Sequence, residues 1–295
     1  MRLAISDDSS TLSKIETVST PQVYEKGVEL FVATARQLIN SLTTVGSSSK
    51  LDLVVGGLAG TIDHKNSLIQ SAPNLKNWEG KNFSLDVETT FAGVGIYDVS
   101  VNLQNDASMA ALGEALSGAG RGFSIVAYIT VGTGVGGARI ALGELDPSTL
   151  GFEPGHQIID IDKTVVANTS NAAGVDHFGN TLEDCISGAA IEKISGKKPK
   201  EIKDPNFWDG LARILAFGLT NTVVHWSPDV IVLGGSMITG DPAIPIDAIE
   251  KHLQEILKIY PRLPSIKKAE LGDHGGLFGA LEYARQINHV NHAVS

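Results

Sequence analysis

The sequence predicts an α/β protein built as two lobes. Three observations carry that expectation. Short apolar strand patterns alternate with longer helical ones along the 295 residues, the order expected when helices pack on sheets. Three of the strand patterns run straight into glycines, at Gly56-Gly57, Gly132-Thr133-Gly134 and Gly234-Gly235. Each half of the chain opens on strand hairpins and continues into helices alternating with strands, although no sequence repeat is visible.

The elements follow in order. Met1 to Ile5 is a short apolar stretch that turns at Asp7-Asp8-Ser9-Ser10, and Leu12 to Val18 reads as the returning strand. Thr20-Pro21 sets an N-cap before a proline at the first helical position, predicting a helix to Leu42. Leu51 to Gly60 is a buried strand entering a glycine-rich loop, and residues 61–83 are polar and irregular. A loop of that length in a compact domain is usually functional. Val99, Val101 and Leu103 alternate with polar residues as a half-buried strand does, and Ala107 to Ala115 are small, good helix formers. Ser124 to Thr130 and Ala138 to Leu142 form a hairpin around a glycine-rich bend. Residues 143–180 are loop-rich, and Leu182 to Ile194 reads as one helix ended by Gly196. Asp204-Pro205 starts a long helix to Trp226, and Pro228 to Gly235 is a strand. A helix from Ile244 to Ile259, a short strand near Ile266 and a final helix opened by Gly275 complete the chain.

Composition is that of an ordinary globular protein, 42% hydrophobic and 19% charged, with a net charge of −10. The acidic balance argues against a nucleic-acid or anionic-membrane partner. The single cysteine, Cys185, admits no internal disulfide and fits a reducing compartment. No stretch reads as a signal peptide or membrane span, so a cytoplasmic protein is expected. Lys197 to Lys203 is a basic run best read as a solvated face.

Asp106 stands where a strand ends and a helix begins. That position suits a helix N-cap, and it equally suits a general base. Glycine turns let backbone N–H groups approach an anion closely, and Thr133 adds a hydroxyl to the middle of one. The chain has no P-loop motif and no dinucleotide fingerprint between a first strand and helix.

Taken in order, these pieces resemble the ROK family (repressors, open reading frames and sugar kinases). Gly57-Leu-Ala-Gly60 with Asp63 is similar to the family's sugar-side glycine loop, and Asn74-Leu75 with Trp78 to its N-L-x-x-W segment. Asn105-Asp106-Ala107 is similar to its N-D-A motif, and Glu153-Pro-Gly-His156 to its E-x-G-H hallmark. Gly132 to Gly137 resembles its second phosphate loop, Leu182-Glu183 its later sugar-binding glutamate, and Leu233-Gly234-Gly235 with Asp273 to Gly279 its adenosine-side turns. The resemblance implies a two-lobed actin-like ATPase (RNase H-like) fold with a cleft between the lobes. It would divide as an N-terminal lobe over 1–105, a C-terminal lobe over 106–278, and a helix over 279–295 returning to the first lobe.

The resemblance also implies a function: ATP-dependent phosphorylation of a hexose or N-acetylhexosamine hydroxyl, with Mg²⁺. Asp106 would be the general base. Asn74, Asn105, Glu153, His156 and Glu183 would bind the sugar; Gly132, Thr133, Gly134, Gly234 and Gly235 would bind ATP. The partner is then a small-molecule sugar, and family analogy suggests a homodimer. Two departures stand out. The family's zinc-site cysteines are absent around Gly174 to Glu183, so no zinc or other protein-held metal is expected, and His177 and Cys185 read as structural. His156 then reads as a direct sugar contact or as a loop histidine. The family's opening strand and its Asp-x-Gly-Gly-Thr-Lys phosphate loop also have no counterpart, because Met1 to Ser6 resembles the strand just after them. Either the chain is shortened at its start, or it is a short form that binds sugar and transfers phosphate weakly or not at all, as a sensor. A repressor is disfavoured, since no DNA-binding segment is present.

Overall fold

A computed structural model describes residues 1–7, 9–42, 50–148, 151–160 and 180–294. They form two compact units: Met1–Gly113 with His274–Ser295, and Glu114–Ser148 with Phe152–Asp273.

In the first unit, β1 (Arg2–Ile5) and β2 (Lys14–Thr17) pair antiparallel, Arg2 opposite Thr17. The helix α1 (Tyr24–Leu42) starts later than Thr20-Pro21 predicts. The carbonyls of Pro21 and Gln22 face elsewhere: they accept from the Trp78 indole at 3.2 Å and the Asn77 amide at 3.4 Å. β3 (Leu53–Leu58) leads into a region expected to be irregular but holding a hairpin, β4 (Thr61–Asp63) and β5 (Leu68–Ser71), and a 3₁₀ turn at Lys76–Trp78. The helix α2 (Phe83–Gly93), capped by the Asn82 side chain, lies mostly in residues 84–98, to which the sequence reading assigns nothing. β6 (Ser100–Asn105) then pairs parallel with β3, Leu53 opposite Ser100 and Leu58 opposite Asn105. Next comes α3 (Asp106–Leu116), within which the two units divide. Trp78 holds this unit's core together. It stacks on Phe83 with centroids 5.3 Å apart and takes the edge of Tyr24 at 5.4 Å. A Cβ on Gly27 would sit 2.3 Å from its ring, so only glycine lets α1 lie this close.

The second unit is built on one five-stranded sheet. Its members are β7 (Ile125–Val131), β8 (Val135–Ala141), β9 (Glu144–Leu145), β10 (Val230–Gly234) and β11 (Ser265–Lys268), in the order β11-β10-β7-β8-β9. β7 runs parallel to β10 and antiparallel to β8. All of β10 is buried, which explains its unbroken apolar run. The helix expected over Leu182 to Ile194 is broken into α4 (Leu182–Ile186) and α5 (Gly188–Ser195), because Ser187 is extended at φ −66°, ψ 153°. The helix α6 (Pro205–Trp226) starts as expected, with Asp204 capping the Asn206 N–H at 2.9 Å. Two more helices, α7 (Ser236–Thr239) and α8 (Ile246–Ile256), lie between β10 and β11 in sequence. Ile214, Leu215 and Leu219 of α6 and Ile249 and Leu253 of α8 share one core with Ile129, Ile231 and Leu233 of the sheet.

The final helix, α9 (Gly275–Val294), belongs to the first unit and packs on α3 and β3. Glycines make the α3–α9 crossing: a Cβ on Gly279 would lie 1.7 Å from the Met109 carbonyl oxygen, and one on Gly113 would lie 2.3 Å from that of Gly275. Among the described residues no helix is long and apolar enough to cross a membrane.

Candidate active site

In the first unit the β6–α3 junction carries Asn105 and Asp106. The strand ends at Asn105, and this residue is the cap. Its Oδ1 accepts from the Ala107 N–H at 2.9 Å and the Ser108 N–H at 3.2 Å, the two-and-three-residue pattern of an N-cap. Its Nδ2 donates to the Gly60 carbonyl at 2.9 Å. One amide hydrogen remains for a ligand. Asp106, the other candidate for the cap, is thereby relieved of that task; its carboxylate accepts from the adjacent Ala107 N–H at 2.9 Å and from its own backbone N–H.

Asp106 is exposed on one face and crowded by protein on the other. The crowding is the stronger influence and raises its pKa above the ordinary aspartate range; the Ala107 N–H bond pulls partly the other way. Gly57 makes the junction possible, since a Cβ there would stand 2.8 Å from the Asp106 Cα and 3.2 Å from Met109 Cγ. Gly60, which Asn105 grips, lies against Ser71 and Ala72. Asn74 follows two residues later, exposed; its carbonyl accepts from Gln22 at 3.4 Å. No hydrogen bond among the described residues joins the Asn74 side chain to Asn105 or Asp106. Asp63 closes its own turn by accepting from Lys65, Asn66 and the Asn66 amide.

In the second unit two glycine turns leave the same ends of adjacent strands. Thr130 of β7 lies opposite Gly234 of β10, and the turns 132–134 and 234–235 follow. Outside the carboxyl ends of such strands, where the sheet order reverses, α/β proteins bind ligands. The turns touch: a Cβ on Gly235, whose φ is +83°, would meet the Val131 carbonyl at 2.3 Å, and one on Gly132 would be 4.0 Å from Ser236 N.

The break between α4 and α5 shapes the first turn. The Gly188 N–H donates to the Gly132 carbonyl at 2.7 Å and the Ala189 N–H to the Thr133 carbonyl at 3.3 Å. These are the first donors of α5, which no turn of its own helix can satisfy. In a trans peptide the N–H points opposite to the C=O. Holding those two carbonyls against α5 therefore turns the N–H groups of Thr133 and Gly134 away from it. Among the described residues neither N–H has an acceptor. Two successive free backbone donors form an anion-binding concavity.

Glu183 borders the same turn. Its Oε2 accepts from the Val135 N–H at 2.6 Å. The Glu153–His156 turn packs here too: Pro154 and Gly155 are buried, and a Cβ on Gly155 would lie 2.1 Å from the Val135 carbonyl. Its ends stay exposed, with His156 Nδ1 3.4 Å from Glu153 Oε2. The structure thus gathers Gly132, Thr133, Gly134, Glu153, His156, Glu183, Gly234 and Gly235 around one end of the sheet, while Asn74, Asn105 and Asp106 belong to the first unit.

Sequence reasoning missed two residues here. Gln157 donates to the Pro154 carbonyl and accepts from Asn221, both at 2.8 Å, tying the turn to α6. Ser187 makes the break that aims α5; the Ser-Gly pair was its available signal. Cys185 is buried in the core, where desolvation, with Asp160 and Asp184 nearby, pushes its thiol up to about 12. His177 lies outside the described residues. Among those described, no three His, Cys, Asp or Glu side chains stand together as a metal site.

The family profile of ROK proteins matches residues 1–287. The chain belongs to the ROK family. Its fold is the two-lobed actin-like ATPase fold of ROK sugar kinases. A ROK hexokinase from Thermus thermophilus aligns with a TM-score of 0.74 at 24% identity, over 96% of this chain and 94% of that one. A ROK family glucokinase from Streptomyces griseus, in complex with glucose and AMPPNP, aligns with a TM-score of 0.64 at 27% identity, over 96% and 95%. Among characterised relatives, the N-acetyl-D-glucosamine kinase of Mannheimia succiniciproducens is 27% identical over 95% of this chain and 94% of its own. Relatives named as sugar kinases support a kinase at the level of the family. A ROK family transcriptional regulator shares the fold as well, with a TM-score of 0.71 at 16% identity over 96% of this chain and 74% of that one.

Proposed function

We propose that this ROK protein transfers the terminal phosphoryl group of ATP to a hydroxyl of a hexose or N-acetylhexosamine. Asp106 accepts the hydroxyl proton as the oxygen attacks. The observation that carries this reading is the division of labour at the β6–α3 junction. Asn105 caps the helix, which leaves the Asp106 carboxylate available, and the crowding that raises its pKa makes it a better proton acceptor.

Asn74, the remaining Asn105 hydrogen, Glu153, His156 and Glu183 supply donors and acceptors of the kind a polyol needs. The N–H groups of Thr133 and Gly134 hold phosphate oxygens, and the Gly234-Gly235 turn faces the adenosine side. Mg²⁺ brought with the triphosphate would supply neutralisation of the developing charge, with no side-chain cluster of this chain among the described residues needed to hold it. The same reading sets the enzyme in the cytoplasm, as a homodimer by family analogy alone.

The test is sugar-dependent ADP release over a panel of glucose, fructose, mannose and their N-acetylamino derivatives. Saturable turnover on one of them supports the kinase. Saturable sugar binding without ADP release favours a sensor.

A further inference from the structure

We infer that Glu183 is a positioning residue that sets the 132–134 turn and makes nucleotide binding depend on a hydroxyl held at its second oxygen. The inference rests on the kinase reading above and deepens it.

Three observations converge on this residue. Its Oε2 accepts the Val135 N–H at 2.6 Å, closing one side of the turn. A Cβ on Gly134 would come within 2.6 Å of that same oxygen, so the turn is fitted to the carboxylate and not merely beside it. The carbonyls of Gly132 and Thr133 are held by the N–H groups of Gly188 and Ala189. The short segment 183–189 therefore grips the turn from both ends. It fixes which way the Thr133 and Gly134 N–H groups point.

The charge on Glu183 gives this grip a second consequence. A carboxylate bordering an anion-binding concavity repels the anion that would enter. No described residue donates to Oε1, and the side chain is half-buried, so Oε1 is open to a ligand. A sugar hydroxyl donating there draws charge away from Oε2 and relaxes the repulsion. Sugar then strengthens nucleotide binding, and by linkage nucleotide strengthens sugar binding by the same factor. A residue that merely contacted sugar would not change nucleotide affinity measured without sugar.

The experiment is calorimetric titration of the wild-type chain and of Glu183→Gln with a non-hydrolysable ATP analogue, with and without the saturating sugar that the panel selects. Glutamine keeps an acceptor for Val135 and removes the charge. Wild type is expected to bind the analogue at least ~5-fold tighter with sugar than without. In Glu183→Gln that ratio falls below ~2-fold, through tighter binding in the absence of sugar. A variant that keeps the wild-type ratio, or that loses sugar affinity alone, overturns the inference. So does a wild type whose nucleotide affinity ignores sugar. A wild type that binds neither analogue nor any sugar overturns the kinase reading itself and this inference with it. Gly134→Ala supplies a second arm, since its methyl meets the carboxylate. It should weaken analogue binding in the Glu183 background and much less in Glu183→Ala. Effects that combine to within ~2-fold of additivity contradict the grip.

Discussion

Glu114 offers the sharpest stability prediction. The residue is only 1% exposed, and its carboxylate accepts three backbone N–H groups: Ala119 at 2.9 Å, Leu271 at 2.8 Å and Glu270 at 3.2 Å. It joins the end of α3 to the segment after β11, and Gly118 has no Cβ because one would lie 2.2 Å from Glu114 Oε2. Glu114→Ala leaves three donors without their acceptor. At about 1–3 kcal/mol for each orphaned group the loss is about 3–9 kcal/mol, and water entering the vacated space brings it toward the lower end. A loss of about 3–5 kcal/mol corresponds to about 6–20 °C in Tm for a unit of this size. Glu114→Gln keeps one oxygen. Set at the Oε2 position, it still serves Ala119 and Glu270 and fails only Leu271, so the loss shrinks to about 1–3 kcal/mol. Urea unfolding followed by circular dichroism measures both. A loss below about 1 kcal/mol in Glu114→Ala, or equal losses in the two variants, refutes the reasoning.

Other expectations follow from the same geometry. Gly279→Ala forces a methyl to within 1.7 Å of the Met109 carbonyl oxygen and must separate α3 from α9; a loss of at least about 1–3 kcal/mol is expected in the same unfolding experiment, and an unchanged midpoint contradicts the crossing. Cys185, with its thiol pushed up to about 12, should resist iodoacetamide at pH 8 in the folded protein and react once unfolded, as mass spectrometry can show. Asp106 has a folded pKa above its unfolded value, so its favourable contribution to stability exists at low pH and is lost as pH rises through the folded pKa. Asp106→Asn should therefore match or exceed the wild-type Tm at pH 7, with the gain gone below about pH 3.9; a lower Tm at pH 7 would sink the assignment.

Local signals were legible and long-range ones were not. The strands ending at Leu58, Val131 and Gly234 could be read because alternation or an apolar run meets a glycine within a few residues. Asp204-Pro205 gave its helix correctly, since the Asp204 side chain finds the Asn206 N–H next to it. The same signal at Thr20-Pro21 failed, because Pro21 and Gln22 are held by Trp78 and Asn77, more than fifty residues away. The Leu182–Ile194 stretch suits a helix on either side of Ser187; what breaks it is the fit to Gly132 and Thr133, which no local pattern encodes. Asn105 and Asp106 can each cap a helix, and the choice depends on where β6 stops pairing with β3. For Glu183 the family resemblance implies a contact to sugar. Its bond to Val135 emerges only when the α4–α5 break is folded against the hairpin.

The measurement that most directly tests the central claim is sugar-dependent ADP release by wild type and Asp106→Asn on the sugar that the panel selects. The account predicts turnover in wild type that climbs with pH through a pKa above the ordinary aspartate value of about 3.9, and a loss of about 10²–10⁴-fold in kcat for Asp106→Asn with sugar binding retained. Near-normal kcat in Asp106→Asn would contradict it.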